Sequence, residues 1–159
     1  MIFVTAYKGV PLGAITAAKL AELDPKQYGN IGYSFNRKEK KDHGEGGSIV
    51  GTSLAGKKVL VIDDVITAGT AIKEAFDIIS AEKGEVSGCI IALDRQETTK
   101  DSEKLSTQAV SEKFGVPVIS IVTLADIIAY LGDNITPEQL ASMKKYREQF
   151  SPKDLQWLD

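Results

Sequence analysis

Cysteine, histidine and tryptophan occur once each in the 159 residues, as Cys89, His43 and Trp157. One cysteine leaves no pair for an internal disulfide, and one histidine beside it gives no Cys/His cluster of the kind that holds a structural metal. Cys89 lies inside the apolar run Val86–Leu93 and reads as a buried strand residue. Neither sign of charge dominates. The net charge of −3 gives no global electrostatic case for a nucleic-acid partner, so any positive charge that matters must be local. No apolar run approaches the roughly 20 residues of a membrane span, and no N-terminal stretch reads as a signal peptide. The cytoplasm is therefore the expected compartment. Internal repeats and low-complexity tracts are absent as well.

What is present fits a globular chain. Apolar residues make up 43% and charged residues 26% of a length that one domain can fill with a real core. Apolar runs alternate with stretches of helical spacing, which points to a mostly parallel twisted sheet flanked by helices on both faces, an α/β fold.

The chain is organised around Val59–Thr70. Val59-Leu60-Val61-Ile62 is apolar and mostly β-branched, as in a strand buried on both faces. It runs into two adjacent carboxylates, Asp63 and Asp64, and then through Val65 and Ile66 to Thr67-Ala68-Gly69-Thr70. Ile72, Ala75, Phe76 and Ile79 follow at the spacing of one helix face. A loop of small residues opening a helix offers unpaired N–H groups and the positive end of the helix dipole, which together make an anion site. The threonine hydroxyls add donors, and Gly69 lets a phosphate approach the backbone. Two acids beside a phosphate cradle make chemical sense when they meet hydroxyls or a metal, and a sugar phosphate carrying Mg²⁺ satisfies both demands.

Three further stretches bear on function. Met1–Val4 reads as a strand and Thr5–Pro11 as a turn, with Pro11 suited to the start of a helix reaching about Leu23 and facing inward through Leu12, Ile15, Ala18 and Leu23. Lys8 in that turn can meet a bound anion. Tyr33–Phe35 and Ser48–Gly51 read as strands around the polar, glycine-bearing loop Asn36–Gly47, which concentrates Arg37, Lys38, Lys40, Lys41 and His43. A cationic lid suits a reaction whose leaving group is a polyanion. Charged groups gather again in Asp94-Arg95-Gln96-Glu97, just past the strand Val86–Leu93. There Arg95 either meets a ligand or pairs with Asp94 or Glu97.

The remainder reads as scaffold. Asp24–Gly32 and Thr98–Leu105 are polar connections, and a helix over Thr107–Phe114 stops at Gly115. A strand over Val116–Ile121 precedes a helix with Leu124, Ile127, Ile128 and Leu131 on one face. Thr136-Pro137-Glu138-Gln139 gives a capping-box start to a last helix. Tyr146 and Trp157 read as packing or surface residues.

Val59–Thr70 resembles the phosphoribosyl-pyrophosphate (PRPP) motif of type I phosphoribosyltransferases, and Phe35–Gly47 resembles the flexible catalytic loop of the orotate phosphoribosyltransferases among them. Ala6-Tyr7-Lys8-Gly9-Val10-Pro11 is similar to that family's pyrophosphate turn, and Asp94–Glu97 to its orotate-side strand end. The resemblance runs from about Ala6 to at least Tyr130. It implies Mg²⁺-dependent transfer of ribosyl 5-phosphate from PRPP to N1 of orotate, in pyrimidine (UMP) biosynthesis. Under it Asp63, Asp64, Val65, Ile66, Thr67, Ala68, Gly69, Thr70 and Ala71 bind the ribose phosphate, while Tyr7, Lys8, Arg37, Lys38, Lys41 and His43 meet the pyrophosphate. Lys41, Arg37, His43 and Asp64 are the implied catalytic groups, and Arg95 and Thr67 the implied orotate contacts. The Mg²⁺ is carried by PRPP and held by no dedicated protein ligand. A homodimer, with the loop acting across its two-fold axis, is implied too.

Family members carry a hood segment before the strand that begins here, and Val4-Thr5 departs from their usual Gly-Pro. The expectation is thus a single core domain over 1–159, N-terminally truncated relative to the family, in which PRPP binding survives better than catalysis. Two other readings follow from the same residues: a non-catalytic PRPP-binding or regulatory protein, and a purine phosphoribosyltransferase. The Arg37–Gly47 loop and Arg95 favour the acidic pyrimidine.

Overall fold

The computed structural model describes residues 1–5, 8–41, 47–99, 102–153 and 155, with the side chains of 38–41, 47, 48, 102 and 133 left aside. In chain order the elements are β1 (Ile2–Val4), α1 (Gly9–Leu23), α2 (Pro25–Tyr28), β2 (Tyr33–Lys41), β3 (Gly47–Gly51) and β4 (Lys58–Val65). They continue with α3 (Thr70–Ala81), β5 (Glu85–Asp94), β6 (Thr98–Thr99), β7 (Ser102–Leu105), α4 (Ser106–Phe114), β8 (Val118–Thr123), α5 (Leu124–Leu131) and α6 (Pro137–Phe150). Six strands join in the order β3-β2-β1-β4-β5-β8. β1 runs parallel to both β2 and β4, pairing Ile2 with Tyr33 and Leu60, while β2 and β3 form an antiparallel hairpin. The result is a mixed sheet flanked by helices, as the alternation of patterns in the sequence leads one to expect.

The chain divides into two compact units, Met1–Asp64 with Thr70–Ile90, and Val65–Gly69 with Ile91–Asp159. In the first, Ile2, Val4 and Ile62 form a buried cluster against which Val10, Leu12, Ala17, Leu20, Tyr33 and Phe35 pack. α3 buries Ile72, Ala75, Phe76 and Ile79, the four residues its spacing selects. Removing each large side chain of that row from water is worth about 1.5–3 kcal/mol.

α1 departs from expectation. Ile15 and Leu23 are exposed, at 60% and 79% of their surface, and Ala18 is exposed with them. The helix buries Gly9 and Gly13 instead. A Cβ on Gly13 would stand 2.3 Å from Val4 Cγ1 and 2.9 Å from Tyr33 Cε2. Backbone-close packing on the glycines set the rotation: Leu12 packs inward as expected, with Val10 and Leu20, while Ile15 and Leu23 lie on the far face.

Other boundaries moved for local reasons. Asp24 caps α2 inside the expected connection, accepting from the Lys26 and Gln27 N–H groups at 3.1 and 3.0 Å. The second unit turns the polar stretch 98–105 into the small hairpin β6–β7, pairing Thr98 with Leu105 and Thr99 with Ser102. β8 carries its Ile119 and Ile121 at 60% and 78% exposure. The capping box at Thr136 forms, with Gln139 N donating to Thr136 Oγ1 and Thr136 N to Gln139 Oε1.

Candidate functional site

The two carboxylates at the end of β4 face different surroundings, because successive strand residues point to opposite faces. Asp63 is 6% exposed. Burial pushes its carboxyl above the ordinary range; the hydroxyl of Thr5 and the N–H of Asp64, which donates to Asp63 Oδ1 at 2.9 Å, pull the other way. Asp64 is half-buried and its Oδ2 lies 3.2 Å from Lys8 Nζ, whose side chain is 82% exposed. The turn after β1 thus supplies partners to both acids, Thr5 to the buried one and Lys8 to the outer one. The sequence reading picked out Lys8 and missed Thr5. The burial of Thr5 beside a strand end is a signal only the fold provides.

Cys89 is buried in the same unit, as its apolar run suggests, and its thiol is pushed up to about 12 by burial and by the charge of Asp63. It is inert as a nucleophile at neutral pH. Among the described residues no three His, Cys, Asp or Glu side chains gather as a metal cluster.

Beyond β4, Val65 is half-buried, Ile66 buried, and Thr67 and Ala68 exposed. Gly69 has φ +71°, and a Cβ there would come within 3.0 Å of Val110 Cγ2. Glycine is required twice over, for the left-handed backbone and for the close approach of α4. Thr70 and Ala71 open α3, where first-turn N–H groups lack intrahelical partners.

β2 runs on to Lys41, so Arg37, Lys38 and Lys41 stand on a hairpin arm where a loop was expected. Pairing with β3, Asn36 to Ile49 and Lys41 to Gly47, with an irregularity between, satisfies backbone groups that a loop would leave to water. Arg37 is half-buried. Tyr7 and His43, and the side chains of Lys38 and Lys41, lie outside the described residues.

At the end of β5, Arg95 Nη2 is 3.2 Å from Glu97 Oε2, with side-chain exposures of 33% and 15%. The pairing with Glu97, one of the two outcomes open from the sequence, is the one found. The other oxygen of Glu97 accepts from the hydroxyl of Tyr146, whose phenol is pushed above its ordinary value first by burial and then by that carboxylate. The sequence gives Tyr146 a packing or surface place; in the structure its hydroxyl also donates to Glu97. Asp94 accepts from the Gln96 N–H at 2.7 Å and from Thr107 Oγ1 at 2.9 Å. Gln96 sits at φ +59°, and its Oε1 accepts from the Ala125 N–H at 2.9 Å. A non-glycine residue in that region stores about 1–2 kcal/mol of strain. These bonds hold it there.

The sequence model of the phosphoribosyl transferase domain family matches residues 1–126. Among curated proteins, the chain is 58% identical to the orotate phosphoribosyltransferase of Yarrowia lipolytica, covering 97% of this chain and 70% of that one. It is 52% identical to orotate phosphoribosyltransferase 2 of Saccharomyces cerevisiae, covering 94% and 67%. Among solved structures, it is similar to the crystal structure of orotate phosphoribosyltransferase from Francisella tularensis, with TM-score 0.75, 35% identity, and coverage of 94% and 69%.

Proposed function

The chain belongs to the phosphoribosyl transferase domain family and within it to the orotate phosphoribosyltransferases, and on that premise we infer that it joins orotate to the ribosyl 5-phosphate of PRPP, forming orotidine 5′-monophosphate in pyrimidine biosynthesis. In the reaction a bond forms between orotate N1 and ribose C1. The bond from C1 to the pyrophosphate oxygen breaks, and its electron pair leaves with pyrophosphate. The observation that carries the reading is the 58% identity over nearly the whole chain. The Asp63–Thr70 run at the end of β4 supplies groups suited to the substrate.

Thr67–Thr70 would hold the 5-phosphate through hydroxyl and N–H donors. Asp64, carrying its charge beside Lys8, would accept from a ribose hydroxyl and favour positive charge developing on the sugar. Asp63 would take the neighbouring hydroxyl. Lys8, Tyr7 and the cations of the β2–β3 hairpin would meet the pyrophosphate, and Arg95 and Thr67 the orotate. A Mg²⁺ carried by PRPP would take its ligands from water and the substrate phosphates, with no dedicated ligand from this chain. When bound, the ion offsets charge on the departing pyrophosphate. A homodimer and a cytoplasmic setting complete the proposal, resting on the family resemblance; among the described residues no helix is long and apolar enough to cross a membrane.

The test is ultraviolet loss of orotate with PRPP and Mg²⁺, run beside Lys41→Ala. Loss of signal in the parent protein, with a fall of roughly 100-fold in the variant, is the expected result. Turnover of hypoxanthine in place of orotate would mean a purine enzyme. A PRPP-dependent rise in melting temperature without turnover would mean a binder.

A further inference from the structure

Resting on that reading, we propose that Tyr146 and Glu97 are positioning residues for Arg95 and set the preference of the site for a carboxylate-bearing base. A guanidinium that recognises a carboxylate needs its planar fork fixed in direction. Arg95 is held by one terminal nitrogen only, and its buried Nε meets no hydrogen-bond acceptor among the described residues. The fork is thus aimed by Glu97 but not filled by it.

Glu97 is anchored on every side. Its carbonyl accepts from the Ser106 N–H at 2.8 Å and from Ser106 Oγ at 2.9 Å. One carboxylate oxygen faces Arg95, and the other accepts from Tyr146, 49 residues along the chain. Tyr146 is itself fixed on α6 by its ring contact with Phe150 at 4.8 Å, and the Phe150 carbonyl accepts from Thr98 Oγ1 at 3.1 Å.

The hydroxyl of Tyr146 has a second effect. A bare Glu97 carboxylate would compete with the substrate's own carboxylate for Arg95. A proton donated from Tyr146 draws part of its charge away, so Glu97 orients the arginine without saturating it. Removing that hydroxyl loosens the carboxylate and also strengthens its competition, and both effects weaken binding of an acidic base.

The full chain is compared with Tyr146→Phe, Glu97→Ala and Glu97→Gln by steady-state kinetics with orotate and PRPP varied separately. Tyr146→Phe and Glu97→Ala are expected to raise the KM for orotate about fivefold, with kcat and the KM for PRPP within about twofold. Glu97→Gln keeps one acceptor oxygen where the carboxylate has two, so it accepts from Arg95 or Tyr146 but not from both, and is expected to recover only part of the loss. An activity-independent readout is the ¹⁵N–¹H signal of Arg95 Nε, assigned with Arg95→Lys, which shifts in Tyr146→Phe. An unchanged KM for orotate, an equal rise in the KM for PRPP, or an unmoved Arg95 signal would each overturn the proposal. A parent protein that consumes no orotate would instead overturn the assigned function, and this inference with it.

Discussion

At the end of β4 two carboxylates meet partners in the turn that follows the neighbouring strand, whereas past the end of β5 the carboxylate that pairs with Arg95 is held by Tyr146 of the helix α6. Asp63 and Asp64 find Thr5 and Lys8 just past β1, which pairs directly with β4. Glu97 finds Tyr146 on α6. The first arrangement separates two like residues by burial and by the partner each meets, leaving one carboxylate withdrawn beside Thr5 and its neighbour facing out toward Lys8. The second takes one arginine and surrounds it with groups that fix its direction. All of these partners are distant in sequence, 58 and 56 residues for Asp63–Thr5 and Asp64–Lys8 against 49 for Glu97–Tyr146; the first two come from the turn after the paired strand β1, the third from a helix.

The sharpest way to break the contrast at β4 is to neutralise each acid in turn. Asp64→Asn removes the outward charge that the proposed mechanism uses, so kcat with orotate and PRPP should fall about 100-fold or more while stability stays nearly unchanged. Its contact with a largely exposed lysine is a surface pair, worth about 0–1 kcal/mol. Asp63→Asn should also slow the reaction, but it is distinguished by stability. The carboxyl of Asp63 is raised by burial, so its folded state holds the proton more tightly than the unfolded chain does. Its contribution is therefore a penalty at neutral pH, relieved as pH falls through the raised value and gone below the ordinary carboxylate range. Asp63→Asn should raise the melting temperature at pH 7, by about 2–4 °C for each kcal/mol of penalty relieved. The gain should shrink as pH is lowered, as thermal unfolding across a pH series would show. A gain that grows on acidification would mean the carboxylate is net stabilised where it sits.

What was legible in the sequence is what local pattern encodes. The face of α3, the capping box at Thr136 and the buried strand around Cys89 each depend on residues a few positions apart, and each formed. The difference between Asp63 and Asp64 was within reach too, since alternation along a strand must send adjacent residues to opposite faces. α1 misled because apolar size was taken as the inward signal, when Gly13 against Val4 decided the rotation. The tie between Glu97 and Tyr146 had no local trace at all. The partners lie 49 residues apart, and nothing in the spacing of either one announces the other.

The smallest expected effect tests whether the β5 end compensates its own strain. Gln96 adopts φ +59°, where a side chain is disfavoured, and its Oε1 accepts from the N–H of Ala125 in the first turn of α5. Gln96→Gly relieves about 1 kcal/mol of backbone strain and forfeits a hydrogen bond of about the same worth, so its net change should be within about 0.5 kcal/mol. Gln96→Ala keeps the strain and loses the bond, and should be destabilised by about 1 kcal/mol. Denaturant midpoints for the pair isolate the strain, because the two variants share the lost bond and differ only in the tolerated backbone. Equal midpoints would mean that no strain is stored at Gln96, and that the bond to α5 merely decorates a conformation the strand end adopts by itself. A clear gap with Gln96→Gly near the parent would mean that the second unit spends a tertiary contact to hold the residue after Arg95 in place, as it spends another on the arginine's own direction.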